Sequence, residues 1–230
     1  MMELTENKFL CDDMTIRLSP RRQSVIVEEH KSSRVVAFKE ISTLDLYDTL
    51  FASYTNKNFI DSGFLPDNCL SVSMCSTERL IYLWNPELRA DIMYREKEYP
   101  DFPLPRLVFG VRMLENGKTV ECSIGVVADE KPSPETPMFY YPFSNVYESG
   151  VVCVGNNILP RYRDIRKLWQ FPRYLLGLPD NDDFYFAEHN RLGLDHSELL
   201  EHLKDKDPSY YYTDILIENG MTLQDFISRR

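Results

Sequence analysis

A thiol is the side chain best suited to attack a carbonyl without a dedicated base, because at a pKa of about 8.5 a few per cent of it is already thiolate at neutral pH. The chain carries five, Cys11, Cys69, Cys75, Cys122 and Cys153. A free cysteine is usually a small buried hydrophobe. That reading fits Cys122, on the apolar face of a strand, Cys69 and Cys75, which flank another, and Cys11 in an early loop. Cys153 differs in its surroundings. It ends the run Asn145-Val146-Tyr147-Glu148-Ser149-Gly150-Val151-Val152-Cys153 and is followed by Gly155-Asn156-Asn157. A loop this rich in Gly, Asn and rings is the place to look for a reactive thiol.

The elements that must position this loop are legible on either side. Leu107, Phe109, Val111 and Met113 alternate on one face of a strand, and Val120, Cys122, Ile124 and Val126 on a returning one. Asn116-Gly117 between them suits a type I′ turn, so one face of this hairpin should pack into the core. Pro132, Pro134, Pro137 and Pro142, with Phe139, Tyr140, Tyr141 and Phe143, then make an extended approach to Asn145. An ordered loop of that length inside a domain is usually functional. After the cysteine, Tyr162, Ile165, Leu168 and Trp169 have helical spacing, with Pro172 placed to end or kink the helix and Gly177 to stop it near 176. Asp195 to Glu198 and Thr222 to Asp225 open two further short helices. Upstream, residues 14–18, 24–29 and 34–38 read as strands. Ser42 to Asp45 resembles a capping box opening a helix over 43–55, and 70–75 and 79–84 are strand candidates.

Composition narrows the classes of function. At 230 residues with 43% apolar content there is enough core for one large domain, or an ordinary domain with an extension, and disorder is excluded. A formal charge of −10 argues against a nucleic-acid binder that works by neutralising phosphates. No apolar run is long enough to span a bilayer, and the start of the chain lacks the pattern of a signal peptide. Five dispersed cysteines with no Cys-x-x-Cys pair suit a reducing cytoplasm and argue against a disulfide framework or structural zinc. His30, His189, His196 and His202 complete no metal motif, so neither metal nor bound cofactor is expected.

The loop resembles the active-site loop of ubiquitin-conjugating enzymes, in which an asparagine stands eight residues before the thioester-forming cysteine. Asn145 and Cys153 keep that separation, and Gly150, Val152 and Val154 agree with the pattern. Pro103 to Phe109, Thr136-Pro137-Met138 and Pro142 to Tyr147 are similar to the prokaryotic branch of the superfamily, and specifically to protein B of the PRTRC systems, prokaryotic conjugating family D. Phe184 to Asn190 is similar to that family's aromatic-then-His segment. One departure stands out: eukaryotic members have His-Pro before the asparagine, where this chain has Phe143-Ser144.

The resemblance implies an α+β fold, a ubiquitin-conjugating-like antiparallel meander sheet with flanking helices over 41–230, and a β-rich N-terminal extension over 1–40. It implies an acyltransferase that takes a ubiquitin-like modifier as a thioester on Cys153 from a ThiF-like activating enzyme and passes it to a protein target. Asn145 would donate to the oxyanion or anchor the loop. Gly150 and Tyr147 would shape the loop. Asp180 and Asp183, in the run Asp180-Asn181-Asp182-Asp183, stand where relatives carry an acidic gate, or form an ordinary solvated loop. His189 would shuttle protons or simply pack beside Phe186 and Leu192. Two other readings remain at this point, an inactive adaptor of the same fold and a papain-type hydrolase pairing Cys153 with His189 or His196. Pro160 weighs against the last, since it interrupts before a helix can begin behind the cysteine.

Overall fold

The computed structural model describes residues 13–18, 24–31, 34–55, 62–75 and 77–228. Cys11 and the residues between the first two expected strands, 19–23, lie outside them. The chain divides into two compact units, Met1–Asp61 and Ser62–Arg230. In the first, β1 (Asp13–Leu18), β2 (Ser24–Lys31) and β3 (Arg34–Ser42) form an antiparallel meander in that order. Helix α1 (Thr43–Thr55) follows directly, its first turn capped as expected by Ser42 Oγ, which accepts from Asp45 N at 2.9 Å.

The second unit is an α+β arrangement around a six-stranded sheet. Its members are β4 (Cys69–Met74), β5 (Glu78–Asn85), β8 (Leu107–Leu114), β9 (Thr119–Val127), β10 (Pro137–Phe139) and β12 (Glu218–Thr222). They lie side by side in the order β12-β10-β9-β8-β5-β4, every pair antiparallel. Between β5 and β8 the chain makes a second hairpin, β6 (Leu88–Tyr94) and β7 (Lys97–Leu104), and the two-residue β11 (Pro179–Asp180) pairs parallel to β6.

Helical segments cover the sheet. They are a 3₁₀ turn at Ile165–Gln170, α2 (Phe171–Leu176), α3 (His196–Leu203), a π turn at Tyr211–Ile215 and α4 (Leu223–Ser228). Leu83, Phe109 and Ile124 on one face pack in a core with Leu168, Phe171 and Leu199. The opposite face is covered too, Val108, Val127 and Met138 lying beneath Leu223 and Phe226 of α4. Each such side chain contributes roughly 1.5–3 kcal/mol by leaving water. No helix among the described residues is long and apolar enough to cross a membrane.

Two local expectations need correction, and one hairpin was not expected. The turn at Asn116-Gly117 is not type I′, because Gly117 is at φ 81° while Asn116 has no positive φ. Gly117 N donates to Leu114 O and Leu114 N to Lys118 O, so the turn is a three-residue loop, one residue longer than a type I′ turn, with Gly117 in the left-handed position. Separately, Val120 is an extra residue in β9, skipped between the pairs Met113–Thr119 and Arg112–Glu121, so Thr119 and Cys122 face inward and Val120 is exposed. The helix expected from Tyr162 starts at Ile165, capped by Asp164, and Pro172 sits in the first turn of α2, where its missing N–H costs nothing. The β6–β7 hairpin was hidden by Pro100 and Pro103. Both are tolerated because β7 is an edge strand.

Candidate active site

Backbone pairing makes the spacing of Asn145 and Cys153. After Phe139 the chain runs over the sheet, anchored by Phe143, whose ring packs edge-on against Phe102, Tyr141 and Tyr211. Phe143 therefore fills with apolar contact the place where the eukaryotic pattern has histidine, and Ser144 beside it is buried. Residues 145–153 then form a small hairpin. Tyr147 N donates to Val151 O at 2.9 Å, Gly150 N to Tyr147 O at 2.7 Å, and Cys153 N to Asn145 O at 2.7 Å. Gly150 is required at the turn. Its φ is 84°, and a Cβ there would meet a Phe226 ring carbon at 2.7 Å and Ile124 O at 3.1 Å. The hairpin docks on the half of β9 that β10 leaves free, through Ile124 N to Gly150 O and Val152 N to Cys122 O.

Asn145 sits at the other end of that closure in a left-handed conformation, φ 60°, which asparagine tolerates better than most residues. Its backbone N–H donates to Asp183 O at 2.7 Å, and its side-chain Nδ2 donates to Asp180 Oδ1 at 2.9 Å. No other side-chain hydrogen bond of Asn145 forms among the described residues, so the second amide hydrogen is uncommitted. Asp180 is held in turn by its pairing with β6 and by Arg95 N, which donates to its carbonyl. Burial pushes its carboxyl up to about 7, against the opposing pull of donors on Asn145 and Ser144.

The acidic run thus splits into three roles. Asp180 faces Asn145. Asp183 offers its carbonyl to Asn145 and its carboxylate to Asn181 Nδ2. Asp182 turns away, accepting from Tyr94 Oη at 2.6 Å and pairing with Arg95.

Cys153 is half-buried, and its thiol opens into a cleft of about 40 Å³ that Asn145, Asp180, Ser144, Asn157 and Leu175 also line. A space that size holds a water or two and no metabolite. The Tyr147 hydroxyl lies against the Cys153 thiol, and that contact raises its pKa. Its ring lies tilted against that of Phe184, a residue at φ 58°, with centroids 4.1 Å apart. Phe184 was singled out in the sequence only as part of the aromatic-then-His segment; its contact with Tyr147 is what the sequence did not show.

Neither histidine reaches the thiol. His189 is stacked at 4.0 Å on Tyr140, and burial lowers its pKa. His196 is buried against Tyr94 and Tyr185, with Nδ1 3.0 Å from Asn181 O. No hydrogen bond joins Cys153 to a histidine among the described residues, and without one the pairing a papain-type hydrolase needs is not formed. The other thiols separate cleanly from Cys153. Burial pushes Cys122 up to about 12 and raises Cys69, while Cys75 is exposed in the turn before β5.

Comparison with known proteins gives one family. The model of prokaryotic E2 family D matches residues 46–173, more than half of the chain, a span that contains Asn145, Gly150 and Cys153. No curated protein and no solved structure matches.

Proposed function

The chain belongs to the prokaryotic E2 family D, and from that premise we propose that it carries a ubiquitin-like modifier as a thioester on Cys153. In the first step the Cys153 thiolate attacks the thioester carbonyl on a ThiF-like activating enzyme. The donor thiolate leaves, and the acyl group stays on Sγ. In the second step an amine of the target attacks that carbonyl, the tetrahedral oxyanion collapses, and Sγ departs as thiolate.

The observation that carries this reading is the closure of Asn145 on Cys153 with Asp180 beneath the asparagine amide. The uncommitted N–H of Asn145 is a donor for the oxyanion, a contribution of about 2.7–4 kcal/mol in comparable sites. Asp180, with a carboxyl near neutrality, is the acceptor for the proton that the attacking ammonium must lose. Asp183 holds the loop through its carbonyl, Gly150 and Tyr147 shape it, and His189 packs. The similarity of residues 136–147 to protein B of the PRTRC systems supports a cytoplasmic setting beside ThiF-like and ubiquitin-like proteins. A net charge of −10 supports protein partners over nucleic acid.

The test is single-turnover discharge of the charged protein to free lysine. Asn145→Ala should slow discharge far more than loading; equal rates for the two proteins would remove the oxyanion role.

A further inference from the structure

Beyond Asn157 the chain changes sign. Residues 161–173 contain Arg161, Arg163, Arg166, Lys167 and Arg173 against the single acid Asp164, a net +4 in a chain of net −10. Asp164 is taken by Arg166 in a two-pronged pair, Nε to Oδ1 at 3.0 Å and a terminal nitrogen to Oδ2 at 2.9 Å. The side chains of Arg161, Arg163, Lys167 and Arg173 are exposed and make no ion pair or hydrogen bond among the described residues. Four cations left unpaired amid an excess of carboxylates are not explained by the fold.

Apolar groups stand among them. Ile158 is 88% exposed and Trp169 55% exposed, although Leu168 and Phe171 beside Trp169 are fully buried. The segment is rigid rather than loose. Tyr174 Oη donates to Ile158 O at 2.8 Å, Tyr162 N to Gly117 O at 2.8 Å, and Arg161 bridges Lys118, which adds a further cation. Its two ends, at Asn157 and Leu175, line the cleft that holds Cys153.

We infer that this basic face with Ile158 and Trp169 is the docking surface for an acidic surface of the acyl donor, the thioester-charged activating enzyme. The inference rests on the thioester-carrier reading above. Loading is the first bimolecular encounter that Cys153 must undergo, and charge complementarity acts on encounter rates. Trp and Arg are the side chains that dominate interface energies, and a pre-ordered segment loses little entropy on docking. A nucleic acid fits less well. The negative charge of the rest of the chain repels it, and Ile158 finds no partner on a phosphate backbone.

The test uses the full chain, a ThiF-like activating enzyme, a ubiquitin-like modifier and ATP. Arg161→Glu/Arg163→Glu and Trp169→Ala are compared with the unmodified protein. The double reversal should load about tenfold or more slowly at low salt, with the gap closing at high salt. Trp169→Ala should load slowly at both. Iodoacetamide labelling of Cys153 and discharge to lysine should not change. Loading by both variants at the unmodified rate overturns the inference while leaving the carrier reading in place. Binding of a single-stranded oligonucleotide that is lost in the double reversal, with loading unchanged, overturns it in favour of a nucleic acid. Where the unmodified protein is not loaded at all, the carrier reading fails. Binding of the charged activating enzyme to Cys153→Ala then decides docking by itself. Loss of that binding in the Arg161→Glu/Arg163→Glu background supports the surface, and no binding or unchanged binding overturns it.

Discussion

Replacing Asp180 by asparagine separates the cost of burying a carboxylate from the use made of it. Asn keeps the acceptor oxygen 2.9 Å from Asn145 Nδ2 and removes only the charge. In the fold the Asp180 carboxyl titrates at about 7 instead of 3.8. A rise of about 3 pKa units corresponds to roughly 4 kcal/mol, an upper bound for a side chain that water partly reaches. The direction follows from proton binding. Between about pH 4 and pH 7 the folded protein keeps a proton that the unfolded chain has released, so stability is complete below about pH 4 and falls as pH rises to about 7. Asp180→Asn has no such loss. Denaturant unfolding should find the two proteins equally stable near pH 4, with the variant more stable by up to about 4 kcal/mol at pH 8. Activity should move the other way. Lysine discharge by the unmodified protein should rise through an inflection near pH 7, and the variant should lose that inflection and about 10²-fold or more in rate. A variant no more stable at pH 8, with an unchanged discharge profile, would refute both the burial argument and the proton-acceptor role.

Other consequences are as direct. Asn145→Ala should discharge about 10²–10³-fold more slowly while still accepting the modifier, read in single-turnover assays. Gly150→Ala places a methyl group against Phe226 and Ile124 O at a positive φ, and should cost about 1–3 kcal/mol, seen as a lowered Tm. Iodoacetamide followed by mass spectrometry should label Cys75 readily, because it is exposed and hydrogen bonds from Thr77 lower its pKa. Cys122, held near 12 by burial, should stay unlabelled until the protein unfolds.

The sequence disclosed what depends on local chemistry. Ser42 and Asp195 marked true helix starts, Gly177 a true stop, and the alternation from Leu107 to Met113 a strand with its inner face correctly chosen. The separation of Asn145 and Cys153 was visible as a pattern, but its cause, a hairpin turning on Gly150, appears only with the backbone bonds in place. Long-range pairing was illegible. Nothing near Asp180 says that β11 lies on β6 and so delivers one carboxylate of three to Asn145. Val120 read as a core residue because the alternation cannot show that Val120 is itself the extra, unpaired residue of a bulge between Thr119 and Glu121. No strand was expected over β7, and its tolerance of Pro100 and Pro103 follows from edge position, a property of the sheet and not of the segment.

The most direct test of the account is a reconstitution with a ThiF-like activating enzyme, a ubiquitin-like modifier and ATP, resolved on gels with and without reductant. The account predicts a modifier-sized adduct that thiol reductant removes, that Cys153→Ala abolishes, and that Cys153→Ser converts to a reductant-resistant ester. A demonstrably charged activating enzyme that leaves Cys153 unmodified would contradict it, and the fold would then be serving as an adaptor.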